Sequence, residues 1–239
     1  MLGAGGFSSK VRQVAATSLI GKDGTMSLQP TPSQPVDHDD TLAPDHLAHW
    51  VVKTARSKEM IAWYQTVFGA RVVHEDQRLA FLTWDAESHR LAFVKVPGFL
   101  RYLFPLSRIR REIYGIDHVG LTFKSLERLL STYERLKKAG ITPVLSINHG
   151  PTTSLYYEDP DGIRLEFQTE NFPTAKATAD YFHSSAFADN PIGVTFEPDY
   201  LLERLRSGTE PAELLHQGAG TRPGTIARAN KQAVTWKTL

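Results

Sequence analysis

The sequence predicts an α+β fold in which two paired βαβββ modules form one curved sheet cleft, with a helical C-terminal extension. One observation behind this is a repeat. Asp45-His46-Leu47-Ala48-His49-Trp50-Val51-Val52 is echoed by Ile116-Asp117-His118-Val119-Gly120-Leu121, and His49 and His118 each lie fifteen residues before a tyrosine, Tyr64 and Tyr133. A second is the order of hydrophobic periods: each half opens on a two-residue alternation, passes to a helical period and returns to alternation. The third is a later echo with one break. His89-Arg90-Leu91-Ala92-Phe93 corresponds to Ile163-Arg164-Leu165-Glu166-Phe167, so Glu166 stands where the first copy has Ala92.

Residues 1–43 are rich in Gly, Ser, Ala, Thr, Pro and Gln and are expected to form a flexible N-terminal tail. Residues 44–200 are expected to hold the paired modules, the first over 45–97 and the second over 114–170. In the first module, residues 45–54 alternate as a strand, and residues 56–68 place Met60, Ile61, Tyr64 and Phe68 on one helix face before Gly69 stops it. Strands follow at Arg71–His74, Leu79–Trp84 and His89–Val96. The arginine-rich stretch Pro97–Tyr114 connects the modules. The second module repeats the pattern with a strand at 115–123, a helix at 125–139 closed by Gly140, and strands near 142–147, 153–158 and 163–168. Asp159-Pro160-Asp161-Gly162 is a tight turn between the last two strands. Beyond them, Tyr181–Phe187 and Tyr200–Arg206 read as helices and Asn190-Pro191-Ile192-Gly193 as a turn; this segment either covers the cleft or braces it. Residues 201–239 form a C-terminal helix and tail.

Composition narrows the function. A net charge of +1 with no block of like charge gives no electrostatic footprint for nucleic acid, and no apolar run is long enough for a membrane span. The chain has no cysteine, so a metal site must use His, Asp, Glu or other oxygen donors. The lack of cysteine also fits a reducing compartment, and the cytoplasm is the expected location. The opening stretch carries Lys10, Arg12 and Lys22 without an acid, a composition compatible with mitochondrial import and equally with a working start at Met26.

Strand alternation then sorts the polar residues. Val119, Leu121 and Phe123 share one face and His118, Gly120 and Thr122 the other; Leu165 and Phe167 oppose Arg164 and Glu166. Each module therefore has an apolar face toward its helix and a second face carrying His or Glu. His49, His118 and Glu166 are the candidate metal ligands. Two imidazoles and one carboxylate leave coordination positions open, which suits non-haem Fe(II), with Mn(II) also accepted by such donors. A carboxylate among apolar neighbours is costly unless it is paired or binds a cation; the competing reading is a salt bridge to a connector arginine. His46 has the opposite parity to His49 and is not a candidate ligand.

With these residues in view, the stretch from about 45 to 195 resembles the vicinal oxygen chelate superfamily, whose members include glyoxalases, bleomycin-resistance proteins, epimerases and extradiol dioxygenases. Within it the chain looks most like one-domain extradiol catechol dioxygenases of the biphenyl-2,3-diol type. The resemblance places that family's metal residues on His49, His118 and Glu166. Its acid–base histidine falls on His89, in Ser88-His89-Arg90-Leu91-Ala92-Phe93, where Ser88 replaces the first histidine of a pair. Its pocket tyrosine falls on Tyr156, ten residues before Glu166, and a further pocket histidine on His149, with looser spacing.

What the resemblance implies is Fe(II)-dependent cleavage of a catechol-like ring with O2 as co-substrate. Tyr156 would bind a substrate oxygen and His89 would move protons, a role that suits an imidazole. It also implies a small aromatic diol-like substrate and a homodimer or larger homo-oligomer. Phe93, Phe104, Phe182 and Phe187 are candidate pocket walls. The alternatives are a non-redox metal-dependent lyase or isomerase of the glyoxalase type, and a small-molecule binding protein conferring resistance. Ala92 counts against a four-ligand lyase, and a full set of ligand types counts against a binding protein.

Overall fold

Met60, Ile61, Tyr64 and Val67 form a buried stripe at helical spacing, and that stripe anchors the first module of this computed structural model, which describes residues 46–100 and 115–225. The expected N-terminal tail, most of the connector and the last residues of the expected C-terminal tail lie outside the described residues. From Ala48 onward the chain forms one compact unit.

The first module runs β1 (Trp50–Thr54), α1 (Ser57–Phe68), β2 (Arg71–Glu75), β3 (Leu79–Thr83) and β4 (Leu91–Lys95). Gly69 ends α1 in the left-handed region at φ 64°, its N–H returning to the Gln65 carbonyl at 2.9 Å. The sheet order is β1-β4-β3-β2, with β1 parallel to β4 and the other pairs antiparallel. The second module repeats the plan with β5 (His118–Thr122), α2 (Leu126–Lys138), β6 (Leu145–Asn148), β7 (Thr152–Glu158) and β8 (Arg164–Glu170). The Ser125 hydroxyl caps α2 by accepting from the Arg128 N–H. The extension adds α3 (Ala175–Phe182), α4 (Ser185–Asp189), β9 (Val194–Thr195), α5 (Pro198–Arg206) and α6 (Pro211–Leu214). The second sheet has the order β5-β8-β7-β6-β9, again with its outer β5 parallel to β8.

The register makes the sequence repeat a structural one. In the first module Val51 lies opposite Ala92; at the equivalent position of the second, Gly120 lies opposite Glu166. The two sheets are hydrogen-bonded within themselves and meet through side chains. Their helix-facing residues share one core that includes Tyr64, Phe93, Tyr157, Leu165 and Phe167. Phe167 packs its ring 5.3 Å from Phe68, 5.4 Å from Phe123 and 4.8 Å from Tyr157. Phe93, expected as a pocket wall, is fully buried here against Tyr64, because strand alternation turns it away from the Ala92 face. Phe104 lies outside the described residues.

Local chemistry explains the other differences. The single helix expected over Tyr181–Phe187 is two, because Thr174 and Ser184 each accept a backbone N–H and cap separate helices. β9 has two residues and α6 four, too few to show a period. Leu201 of α5 and Leu214 of α6 pack against Leu126 and Leu130 of α2, which makes this part of the extension a brace on the helix side. Among the described residues no helix is long and apolar enough to cross a membrane.

A buried polar pair also links the modules. The Tyr64 hydroxyl donates to Asp159 at 3.1 Å, joining α1 to the β7–β8 turn. The other Asp159 oxygen accepts the N–H groups of Asp161 and Ile163, each at 2.9 Å. Burial outweighs these bonds and pushes the Asp159 carboxyl up from 3.8 to about 6. The folded state therefore holds this proton more tightly than the unfolded chain. The stability it contributes is full below about pH 4 and is lost as pH rises through about 6, on the order of 3 kcal/mol. Asp159→Asn keeps an oxygen for the two N–H groups and removes the titration. Denaturant unfolding from pH 4 to 7 should show wild-type stability falling relative to this variant, and parallel pH curves would refute the assignment.

Candidate active site

Glu166 is the centre of the site. β8 is a central strand paired with β5 and β7, so its inward-alternating residues have little freedom. Glu166 lies beside Gly120 on β5 and Tyr156 on β7 and is 7% exposed. Its Oε2 lies 3.1 Å from His118 Nε2, and its Oε1 accepts the Tyr156 hydroxyl at 2.7 Å. Burial alone would raise its pKa. Hydrogen bonds from His118, Tyr156 and Ser154 overcome that and hold the carboxyl at about 2, so it is anionic at any working pH.

His118 opens β5. Both ring nitrogens face carboxylates: Nδ1 donates to Asp117 at 2.6 Å and Nε2 to Glu166. The Glu166 hydrogen bond is the chief reason its pKa is raised, against the opposing effect of burial. The charged imidazolium is the form that satisfies both contacts. Asp117 also faces Arg164 at 3.8 Å. An acid that orients a ligating histidine through its second nitrogen is a recurring companion of metal sites. The sequence reading passed over Asp117, although an acid immediately before His118 was the available signal.

Tyr156 and His149 complete the group. His149 Nε2 lies 3.0 Å from the Tyr156 hydroxyl and 3.8 Å from Glu166 Oε1, while its Nδ1 donates to the Ile192 carbonyl at 2.6 Å. Burial pushes the His149 pKa down, which favours the neutral ring. Burial, together with the Glu166 charge, drives the Tyr156 pKa far above its ordinary value and keeps the hydroxyl protonated. That single proton faces two acceptors, Glu166 Oε1 and His149 Nε2.

The other two site residues sit on the first module. His49 immediately precedes β1, and its ring lies 4.4 Å from that of His89. His89 is also stacked on Phe81, at 4.9 Å and 29°, and its Nδ1 contacts the Ser88 hydroxyl at 3.2 Å. The structure thus brings His118, Glu166, Tyr156 and His149 together and pairs His49 with His89. Among the described residues no three His, Asp, Glu or Cys side chains form a ready metal-binding group.

The donors that are together suit a divalent ion. Two ligands in adjacent positions, each about 2.1 Å from an ion, lie about 3 Å apart, and His118 Nε2 and Glu166 Oε2 are separated by 3.1 Å. Space is provided as well. A Cβ on Gly120 would stand 3.6 Å from Glu166 Oε2, so the glycine leaves the carboxylate uncovered where the first module has Val51. The sequence reading did not single out Gly120, although the glycine-for-valine exchange within the repeat marked it. Gly120→Val should fold with unchanged secondary structure yet bind Fe(II) or Zn(II) on the order of tenfold more weakly. Metal titration followed by calorimetry checks this, and wild-type affinity in the variant would remove Gly120 from the site.

The chain is similar to known proteins over much of its length. Residues 24–167 match the model of the Glyoxalase/Bleomycin resistance protein/Dioxygenase superfamily. The chain is 41% identical over 162 residues to Biphenyl-2,3-diol 1,2-dioxygenase 2 of Rhodococcus globerulus, covering 68% of this chain and 82% of that protein. It is 38% identical over 174 residues to Biphenyl-2,3-diol 1,2-dioxygenase 3 of the same organism, covering 73% and 88% respectively. Among solved structures, a glyoxylase/bleomycin resistance protein/dioxygenase domain from Frankia sp. EAN1pec aligns with 54% of this chain and 99% of its own, at 16% identity and a TM-score of 0.43.

Proposed function

Because the chain belongs to the glyoxalase/bleomycin resistance protein/dioxygenase superfamily, we propose that it is an Fe(II)-dependent extradiol dioxygenase that opens a catechol-like or polyhydroxylated aromatic ring with O2. The observation that carries this reading is the buried anionic Glu166, held between His118 and the Tyr156–His149 pair. His49, His118 and Glu166 would hold the metal. Bound there, it would supply a Lewis-acid template on which the two adjacent oxygens of the diol and O2 meet.

The chain's own residues account for the rest. Asp117 fixes the His118 ring. Tyr156 donates its hydroxyl proton to Glu166, with His149 Nε2 3.0 Å away as a second partner, and it can turn that proton toward a substrate oxygen. His149 is neutral and accepts a proton on Nε2. His89, stacked on Phe81 and tilted against His49, presents a second imidazole for proton transfer on the first-module side. Ala92 sits at the register position equivalent to Glu166 and offers no fourth ligand, which favours this reading over a glyoxalase-type lyase.

The test is reconstitution with Fe(II) under anaerobic conditions, followed by addition of O2 and simple catechols or biphenyl-2,3-diol. Equimolar O2 uptake and ring-opened product are expected. A metal-loaded protein that consumes no O2 with any catechol would rule the activity out. His118→Ala should lose metal and turnover together, and full turnover in that variant would sink the ligand assignment. Tyr156→Phe should keep the metal and lower kcat by about 100-fold or more, the loss usual for a positioned proton-transfer group. Steady-state O2 consumption measures it, and an unchanged kcat would exclude Tyr156 from the chemistry.

A further inference from the structure

The Asn190–Gly193 turn lies outside both modules, yet it reaches the ring of His149. We propose that this turn is a positioning element of the site, in which the Ile192 carbonyl fixes His149 as the Nδ1–H tautomer so that Nε2 meets Tyr156 only as a proton acceptor. The catalytic consequence rests on the ring-opening reading; the tautomer does not.

The geometry is specific on the ring. Nδ1 lies 2.6 Å from the Ile192 carbonyl oxygen. A carbonyl only accepts, so Nδ1 carries the hydrogen. In the neutral ring Nε2 is then a bare lone pair, and it lies 3.0 Å from the Tyr156 hydroxyl. The opposite tautomer would set the Nδ1 lone pair against the Ile192 oxygen and direct an N–H at Tyr156. The chain Tyr156–His149–Ile192 would then run the other way, with His149 donating. The identity of the backbone group behind His149 thus decides whether its working nitrogen accepts or donates.

The turn is built to hold that carbonyl in place. The Asn190 side chain closes it from both sides, donating to the Gly193 carbonyl at 3.0 Å and accepting the Gly193 N–H at 3.1 Å. Gly193 has φ 109°, in the region that favours glycine, and a Cβ there would collide with the Asn148 carbonyl and the His149 Cα. The turn therefore lies directly on the backbone of the residue it orients. β9 follows at once and pairs Val194 with Asn148 and Thr195 with Ile147. Asn148, 4% exposed, anchors the other side: its amide donates to Thr153 Oγ1 and the Leu215 carbonyl and accepts from the Gly150 N–H and from Asn171. With the backbone of His149 clamped by Asn148, the Ile192 carbonyl is left to set the ring.

The experiment reads the tautomer directly. Full-length protein labelled with 15N-histidine is studied by long-range 1H–15N correlation, with His149→Gln used to assign the signal. The expected result is a single Nδ1–H tautomer for His149 in the wild type. Asn190→Ala, which opens the turn without touching the core, should give a mixture with the Nε2–H form. Gly193→Ala should give a larger shift wherever it folds. With the Fe(II)-loaded enzyme, Asn190→Ala should lower kcat roughly tenfold while KM stays within about twofold, as for a mispositioned proton-transfer group. A wild-type His149 carrying its hydrogen on Nε2 would overturn the proposal. So would an unchanged tautomer, or an unchanged kcat, in a folded Asn190→Ala. A wild-type protein that opens no ring would sink the proposed activity, and the tautomer measurement would still decide the role of the turn.

Discussion

Phe167 and Glu166 are neighbours on β8, and strand alternation sends them to opposite faces of the sheet. Phe167 is fully buried among Phe68, Phe123 and Tyr157, in the core common to both modules. Glu166 faces the site. A slip of one residue in the β8 register would put a carboxylate into that core and a phenyl ring beside His118. The free energy of burying an aromatic ring therefore also holds the carboxylate in place. The flanking pairs Tyr156 opposite Glu166 and Gly120 opposite Glu166 follow from the same register. The core does not merely support the site: its packing sets which residues are in it.

The two modules use the same scaffold for different ends. At equivalent positions the first has Val51 and Ala92, and the second has Gly120 and Glu166. The first pair is apolar and carries no charge, with Val51 exposed and Ala92 buried. The second combines a buried charge with an open face above it, an arrangement that is unfavourable unless hydrogen bonds and a cation compensate. His118 meets part of that need as an imidazolium between Asp117 and Glu166. The duplicated fold thus carries its electrostatic cost in one copy. The other contributes packing and the adjacent rings of His49 and His89.

The periodic features of the fold were legible from sequence. The α1 stripe Met60–Ile61–Tyr64, the glycine stops and the strands of both modules follow from spacing alone, because burial imposes those periods. The faces that carry His118 and Glu166 followed from parity on strands, whereas Tyr156 was reached only through the family resemblance. Features without a period were not legible. Ser184 splits a helix by capping, and two-residue β9 has no pattern to show. His49 stands just outside β1, beyond the reach of alternation, so the sequence could not fix where its ring points. Asp117 likewise precedes its strand, and only the folded chain shows it on His118 Nδ1. The Ile192 carbonyl is a backbone atom, and no side-chain pattern reports it.

Proton bookkeeping connects these pieces. Along Glu166, Tyr156, His149 and Ile192 there are two hydrogens to distribute, one on the Tyr156 hydroxyl and one on His149 Nδ1. The second is committed to the Ile192 carbonyl. The first has two acceptors, and Glu166, being charged, is the stronger. If Glu166 gave its lone pairs to the proposed metal, its hold on that hydrogen would weaken, and His149 Nε2 would be the acceptor that remains inside the protein. The tyrosine hydroxyl would then be directed by a neutral imidazole instead of a carboxylate, and it would be freer to exchange that partner for a substrate oxygen. On the proposed reading, the buried carboxylate that would attract the cation would also prepare its neighbour for substrate, provided that the Asn190–Gly193 turn keeps His149 an acceptor.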